Sequence, residues 1–201
     1  NIYNLQKLVE VTHYNMASRP RTLFADLWVT VADHLTYTAL NSNQAIALYA
    51  VDSFRQLSIQ YLRRDELEVF EFQRRFLKPL ETVMAQSKQS STKELLLNCV
   101  ARLMHVFGAS SDNDQKPKGG LKSGWVPILT ILGLGGRDAD KSIAEMSFNT
   151  LSGEIKLCLE DAKHSDTLLS EYFVETVNAM LLIVGGPQDV VSHLAIDQIV
   201  S

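Results

Sequence analysis

The sequence predicts an all-α protein, built as a HEAT- or armadillo-like solenoid of antiparallel helix pairs. Three observations predict it. Apolar residues recur at three- and four-residue spacing along the whole chain, and no hairpin signal appears anywhere. Helix-pair starts fall near residues 1, 43, 91 and 138, about 40–50 residues apart, close to the roughly 40–47-residue period of such repeats. Some helices are apolar on two faces, as a helix packed between neighbours on both sides must be. The rival architecture is a compact helical bundle.

The first helix runs over about 1–15, with Ile2, Leu5, Leu8 and Val9 on one stripe. Ser18 and Arg19 lead to Pro20 in the first turn of a second helix, where a missing N–H costs nothing. That helix reaches about Leu40 and is expected to bury Leu23, Leu27, Val31 and Leu35. Asn41-Ser42-Asn43 is a turn and N-cap. The third helix, to about Leu62, sets Ile46, Ala50, Phe54, Leu57 and Tyr61 on one face and Leu48, Val51 and Ile59 on another.

Asp65 and Glu68 pair as a cap for a fourth helix, in which Pro79 predicts a kink or break near Phe76. Ser91 to Glu94 reads as a capping box opening a fifth helix that Gly108 ends. Residues 109–120 hold nothing to bury and read as a mobile, protease-sensitive loop. Gly124, Trp125 and Pro127 start a short helix to about Leu134, and Gly135-Gly136 turns the chain. Asp138 or Asp140 caps a helix to about Glu160. Gly153 inside it costs about 1 kcal/mol against Ala, which a close helix crossing would explain. Ser165 or Asp166 caps a helix to Val184, and Gly185-Gly186-Pro187 stops one helix and starts the last.

The 201 residues read as a single helical-repeat domain cut from a longer protein, with outer helix partners missing. A net charge of −4 opposes sequence-independent nucleic-acid binding. No apolar run approaches the roughly 20 residues of a membrane span. Cys99 and Cys158 read as buried thiols of a cytosolic protein. The five histidines have no partners at metal-ligand spacing, and no catalytic or phosphate-cradle motif is present, so no catalytic residue, metal or cofactor is expected. Gly133 to Gly136 reads as a turn between helices.

Two basic clusters are candidate docking sites for an anionic membrane or an acidic partner. Arg74, Arg75 and Lys78 share one side of a helix, interspersed with Glu66, Glu68, Glu71 and Glu81, so a solvated face of intrahelical ion pairs competes with this reading. Lys116, Lys118 and Lys122 lie in and beside the loop. Asp52 and Arg55, three apart on a helix apolar on two faces, are expected at a helix interface, pairing with neighbouring turns.

Four segments carry a resemblance. They are Ile2 to Glu10 with Tyr14-Asn15-Met16, Tyr49 to Ser58, Phe72-Gln73-Arg74-Arg75-Phe76-Leu77-Lys78-Pro79-Leu80-Glu81, and Lys122-Ser123-Gly124-Trp125. In this order they resemble the large brefeldin-sensitive, trans-Golgi-type exchange factors for the small GTPase Arf, in the first homology region downstream of their catalytic domain. Ala17-Ser18-Arg19-Pro20 departs from a more basic stretch in that family. The resemblance implies a helical solenoid with no exchange chemistry of its own. It implies a regulatory module controlling recruitment to the late Golgi membrane and autoinhibition, in part by binding membrane-anchored, GTP-loaded Arf. The implied partners are Arf, an anionic membrane surface and other domains of the same exchange factor, in a cytoplasmic protein peripheral on the trans-Golgi. The alternative is a structural spacer or dimerisation segment with no Arf contact.

Overall fold

The computed structural model describes residues 2–64, 71–108, 120–160 and 166–200. Among these, every regular element is helical: α1 (Ile2–Ser18), α2 (Arg21–Ala39), α3 (Gln44–Leu62), α4 (Phe72–Gln86), α5 (Ser90–Phe107), α6 (Trp125–Gly136), α7 (Lys141–Glu160), a π-helical turn (Asp166–Glu171), α8 (Phe173–Val184) and α9 (Asp189–Val200). The expected loop (about 109–120) and the Asp65–Glu68 cap fall almost wholly outside the described residues.

The helices sort into two rows. Odd helices touch in succession, α1 on α3, α3 on α5, α5 on α7 and α7 on α9; even helices do the same, α2 on α4, α4 on α6 and α6 on α8. Chain neighbours such as α2 and α3 or α6 and α7 touch across the rows. The core between the rows is continuous from Leu5 to Ala195.

Polar bonds tie the turns that precede α3, α5, α7 and α9 to one another. The Gln89 amide donates to the carbonyls of Asn41 and Ser42, Gln44 donates to Ser91, Ser90 donates to Asp140, and Gln188 donates to the Ala139 carbonyl. Lys93 pairs with Asp138 where both are largely shielded from water. These partners lie 45 to 50 residues apart, so the sequence period is built into the contacts.

Several local expectations shift. α2 buries Phe24 and Trp28, while Leu23 is 54% exposed. Pro20 sits at the N-cap of α2, not inside its first turn. Asn43 caps α3 by accepting from the amides of Ala45 and Ile46. The capping box at Ser91 does not form: α5 begins at Ser90, and the Ser91 hydroxyl accepts from Gln44 instead. Asp140 caps α7, accepting from Ser142. α4 runs unbroken through Pro79. Pro79 has no N–H for the Arg75 carbonyl four residues back, and the next carbonyl along, that of Phe76, accepts from Trp28 Nε1 at 3.2 Å. The helix expected from Ser165 or Asp166 to Val184 is interrupted at Tyr172, between the π-turn and α8.

The glycines exchange roles. A Cβ on Gly153 would meet nothing within 4 Å, so no crossing lies there. The close crossings are on α6, whose last turn contains Gly135 and Gly136 as helix and not as a turn. A Cβ on Gly133 would press on the Ala179 backbone, on Gly135 on Ser147, and on Gly136 on Ile183 at 2.3 Å.

Candidate functional site

The third and fourth sequence segments named above meet in space, at the start of α4. Gln73 is 1% exposed and holds the strand of chain entering α6. Its Nε2 donates to the Gly120 carbonyl at 3.0 Å, and its Oε1 accepts from the amides of Lys122 at 2.8 Å and Gly124 at 3.2 Å. The Arg74 amide donates to Ser123 Oγ. Gly124 leaves room for this clamp, since a Cβ there would stand 3.2 Å from Gln73 Oε1. One turn further, Phe76 is stacked between Trp28 and Tyr61, each with ring centroids 3.8 Å away. Burial pushes the Tyr61 phenol above its ordinary range. The buried residues of this segment therefore fix α4 against α2, α3 and the approach to α6.

On this frame Arg74, Arg75 and Lys78 all point outward, and all are exposed. They do not form one site. Arg74 pairs with Glu71 at 3.1 Å. Partial burial raises the Glu81 carboxyl above its usual range, against the charges of Lys78 and Arg74. The stripe 71-74-78-81 thus carries two acids and two bases. Arg75 belongs to a different stripe, with Phe72, and faces the start of α2. There Arg21, Thr22, Glu71, Phe72 and Arg75 line a cavity of about 430 Å³, and the Arg21 guanidinium stands 5.5 Å from the Phe72 ring. Sequence reading missed Arg21, because only the packing of α2 on α4 brings it to Arg75. It also missed Gln73, whose only signal was its place inside the Phe72–Glu81 segment.

Lys122 is exposed beside the clamp, while Lys116 and Lys118 lie outside the described residues. Asp52 and Arg55 pair with each other on α3 at 2.7 Å, each about one-third exposed, and Gln56 donates to the other Asp52 oxygen. They lie near enough to Cys99 on α5 for their charges to act on its thiol, which burial pushes up to about 12. Cys158 is likewise buried and pushed up to about 11. Thiols this far above neutrality are not nucleophiles at physiological pH. His13, His34, His105 and His193 are exposed, and among the described residues no three His, Cys, Asp or Glu side chains gather as a metal site. No described helix is long and apolar enough to cross a membrane.

Residues 60–153, from the end of α3 through α4, α5 and α6 into α7, match the Sec7-like HDS family, described as Mon2/Sec7/BIG1-like, HDS. Over most of its length the chain matches a homology region of the large brefeldin-sensitive Arf guanine-nucleotide exchange factors, and it belongs with them. It is 32% identical over 171 residues to brefeldin A-inhibited guanine nucleotide-exchange protein 1 of Mus musculus, covering 85% of this chain and 9% of that protein. It is 34% identical over 170 residues to the ADP-ribosylation factor guanine nucleotide-exchange factor sec72 of Schizosaccharomyces pombe, covering 85% and 8%. It is 33% identical over 150 residues to exchange protein 4 of Arabidopsis thaliana, covering 75% and 8%. The match therefore spans less than a tenth of the length of these relatives.

Proposed function

We propose that this chain is a non-catalytic regulatory module of a large Arf exchange factor. It controls recruitment to the late Golgi membrane and autoinhibition, in part by binding membrane-anchored, GTP-loaded Arf. The exchange reaction belongs to a separate upstream domain, and the protein is cytoplasmic and peripheral on the trans-Golgi. The observation that carries the reading is the homology over 85% of the chain to proteins named for guanine-nucleotide exchange, in a region matched as HDS. The two rows of helices and their bonded turns support a HEAT- or armadillo-like solenoid of antiparallel pairs, with residues 1–201 a single domain of a longer chain.

The test is recruitment. Purified protein is floated with anionic liposomes carrying lipid-anchored Arf in its GTP or GDP form. The reading expects weak flotation on lipid alone and stronger flotation with GTP-loaded Arf, since a membrane-confined partner adds effective concentration to a weak surface attraction. Equal recruitment by both nucleotide states removes Arf from the reading.

A second reading, a structural spacer within the solenoid, has its own support. Among the described residues the exposed large apolar side chains fall in α1 and α2, up to Tyr37, and then from Leu157 onward; none lies between. The exposed apolar surface sits where helices of a continuing solenoid would stack. A spacer binds neither nucleotide form of Arf, so the same flotation separates the two.

A further inference from the structure

We propose that the outer face of α5 and α7 binds an extended, basic segment of a protein partner edge-on: Asn98 and Asn149 hold the hydrogen-bonding groups of its main chain, and alternate side chains reach Glu94 and Glu145. This goes beyond the regulatory reading and stands whether or not Arf is the partner.

The ninth residue of every odd helix is polar: Glu10 on α1, Asp52 on α3, Asn98 on α5, Asn149 on α7 and Asp197 on α9. None of them is buried. The starts of α5 and α7 are tied together by Ser90 to Asp140 and by Lys93 to Asp138, and α5 packs on α7, so equal positions on the two helices lie side by side. The polar residues thus form a ladder across the row, with amides at the rungs on α5 and α7 and carboxylates at the others. Glu10 and Asp52 are answered within their own helices, by Lys7 and by Arg55 and Gln56. Asn98 and Asn149 are exposed, and their side chains bond no described residue.

An amide, unlike a carboxylate, carries both a donor and an acceptor, the same pair that each residue of an extended chain presents. Contacting helices lie about 8–10 Å apart, and an extended chain turns its N–H and C=O to one side every second residue, about 6.7 Å. Two rotatable amides leaning toward each other close that difference. A chain held by this edge sends its side chains along the helix axes, alternately toward the starts of α5 and α7 and toward their ends. One turn toward the starts stand Glu94 and Glu145, each the fifth residue of its helix and so in register again. Glu94 is exposed, and Glu145 is half-buried with a contact to Lys141 at 3.6 Å. One turn the other way from Asn149 is Gly153, where a Cβ would meet nothing within 4 Å. A glycine inside a helix costs about 1 kcal/mol against alanine, and no packing within the domain calls for this one. A bare stretch of helix beside the amide is the room that a close-lying main chain needs. The matching place on α5 is the exposed Arg102, so the intervening side chains of the segment are best small and uncharged. Two acids in register and a net charge of −4 select basic side chains, and they oppose an anionic membrane on this face.

The test uses a fluorescein-labelled ten-residue peptide of alternating lysine and serine as the probe, in fluorescence anisotropy at low salt. Its twin has every backbone nitrogen methylated, which keeps the charge and removes the N–H groups. The peptide should bind, and the twin should bind several-fold more weakly. Asn98→Ala and Asn149→Ala leave every charge in place; each should weaken the peptide by about three- to tenfold and the twin by less than about twofold. Asn178→Ala, at an exposed amide on α8 in the other row, should leave binding within about twofold. Glu94→Gln with Glu145→Gln should weaken both peptides. Gly153→Gln fills the bare stretch with a good helix former, so binding should weaken while the melting temperature holds or rises, a combination that unfolding does not give. Melting curves confirm that the other variants are folded. Asparagine variants that bind the peptide like wild type, or a twin that binds as tightly as the peptide, would show diffuse attraction and overturn the site. A helix-forming peptide of alanine and lysine that binds instead, sensitive to Gly153→Gln and not to Asn98→Ala or Asn149→Ala, would make the face a helix dock and likewise overturn it.

Discussion

Replacing Gln73 by leucine tests whether the clamp between α4 and the entry to α6 holds the frame together. Leucine has nearly the same volume and no polar atoms, so the change removes three hydrogen bonds and little packing. The Gly120 carbonyl and the Gly124 amide, both in buried residues, lose their partner, and the Lys122 amide loses its acceptor nearer the surface. A stranded buried polar group costs about 1–3 kcal/mol, and burying an apolar side chain in place of the amide returns about 1 kcal/mol. The net loss is therefore about 2–4 kcal/mol. In a domain of this size each kcal/mol lowers the melting temperature by about 2–4 °C, so a drop on the order of 4–16 °C is expected by calorimetry. Hydrogen exchange at the Lys122 and Gly124 amides should speed up before the rest of the core does. Gln56→Leu is the control: Gln56 is exposed and bonds only Asp52 among the interactions seen, so its effect should stay within about 0.5 kcal/mol. A Gln73→Leu protein that melts with wild type would mean that the clamp contributes nothing to stability.

Two further outcomes follow from the glycines and the thiols. Gly153→Ala should stabilise by up to about 1 kcal/mol, because its Cβ enters open space and helix propensity improves, whereas Gly136→Ala should destabilise by about 1–3 kcal/mol, because its Cβ would stand 2.3 Å from Ile183 Cγ1; denaturant midpoints in the reverse order would refute the α6–α8 crossing. Stability should also fall in alkali. Folding raises the Cys99 and Cys158 thiols to about 12 and about 11, above an unfolded value near 8.5, so the unfolded chain loses protons first as pH rises. The stabilisation is intact below about pH 8.5 and declines above it by about 1.4 kcal/mol per pH unit for each thiol, up to the folded value of each. Cys158→Ala should roughly halve the slope of midpoint against pH between about 9 and 10, below the range where the raised Tyr61 phenol adds its own slope, and a flat wild-type profile there would refute the burial of both thiols.

What the sequence showed of the fold was its period; what it hid was each choice made by a partner helix. In α2 the pairs Leu23/Leu27 and Phe24/Trp28 both satisfy helical spacing, and nothing within the helix decides between them. Phe76 and Tyr61 decide, by offering rings to Trp28 and Phe24 from α4 and α3. Gly153 looked like a crossing because a helical glycine needs a reason, yet the reason belongs to whichever helix lies opposite, and Ala179 and Ile183 lie opposite α6. The Ser91 box failed for the same cause, since Gln44 on α3 takes the hydroxyl that would have capped. The candidate site was legible in part. Spacing placed Arg74, Arg75 and Lys78 together on one side of the helix; all three are exposed, but adjacent residues on a helix diverge by about 100°, and that divergence sends Arg74 to Glu71 and Arg75 to the groove beside Arg21.

The Phe72–Glu81 segment therefore does two separable things, and the separation bears on how any loss of function is read. Gln73, Phe76, Leu77 and Leu80 are buried and fix the helix; Arg74, Arg75 and Lys78 are exposed and leave the core untouched. If the segment touches a partner, substitutions of the first set weaken binding by loosening the frame, so binding and melting temperature fall together. Substitutions of the second set change binding at constant melting temperature if the segment touches a partner, and change neither if it is only a spacer. Arg75 is the informative member, because its groove needs both α2 and α4 in place, whereas Arg74 is paired with Glu71 one turn away.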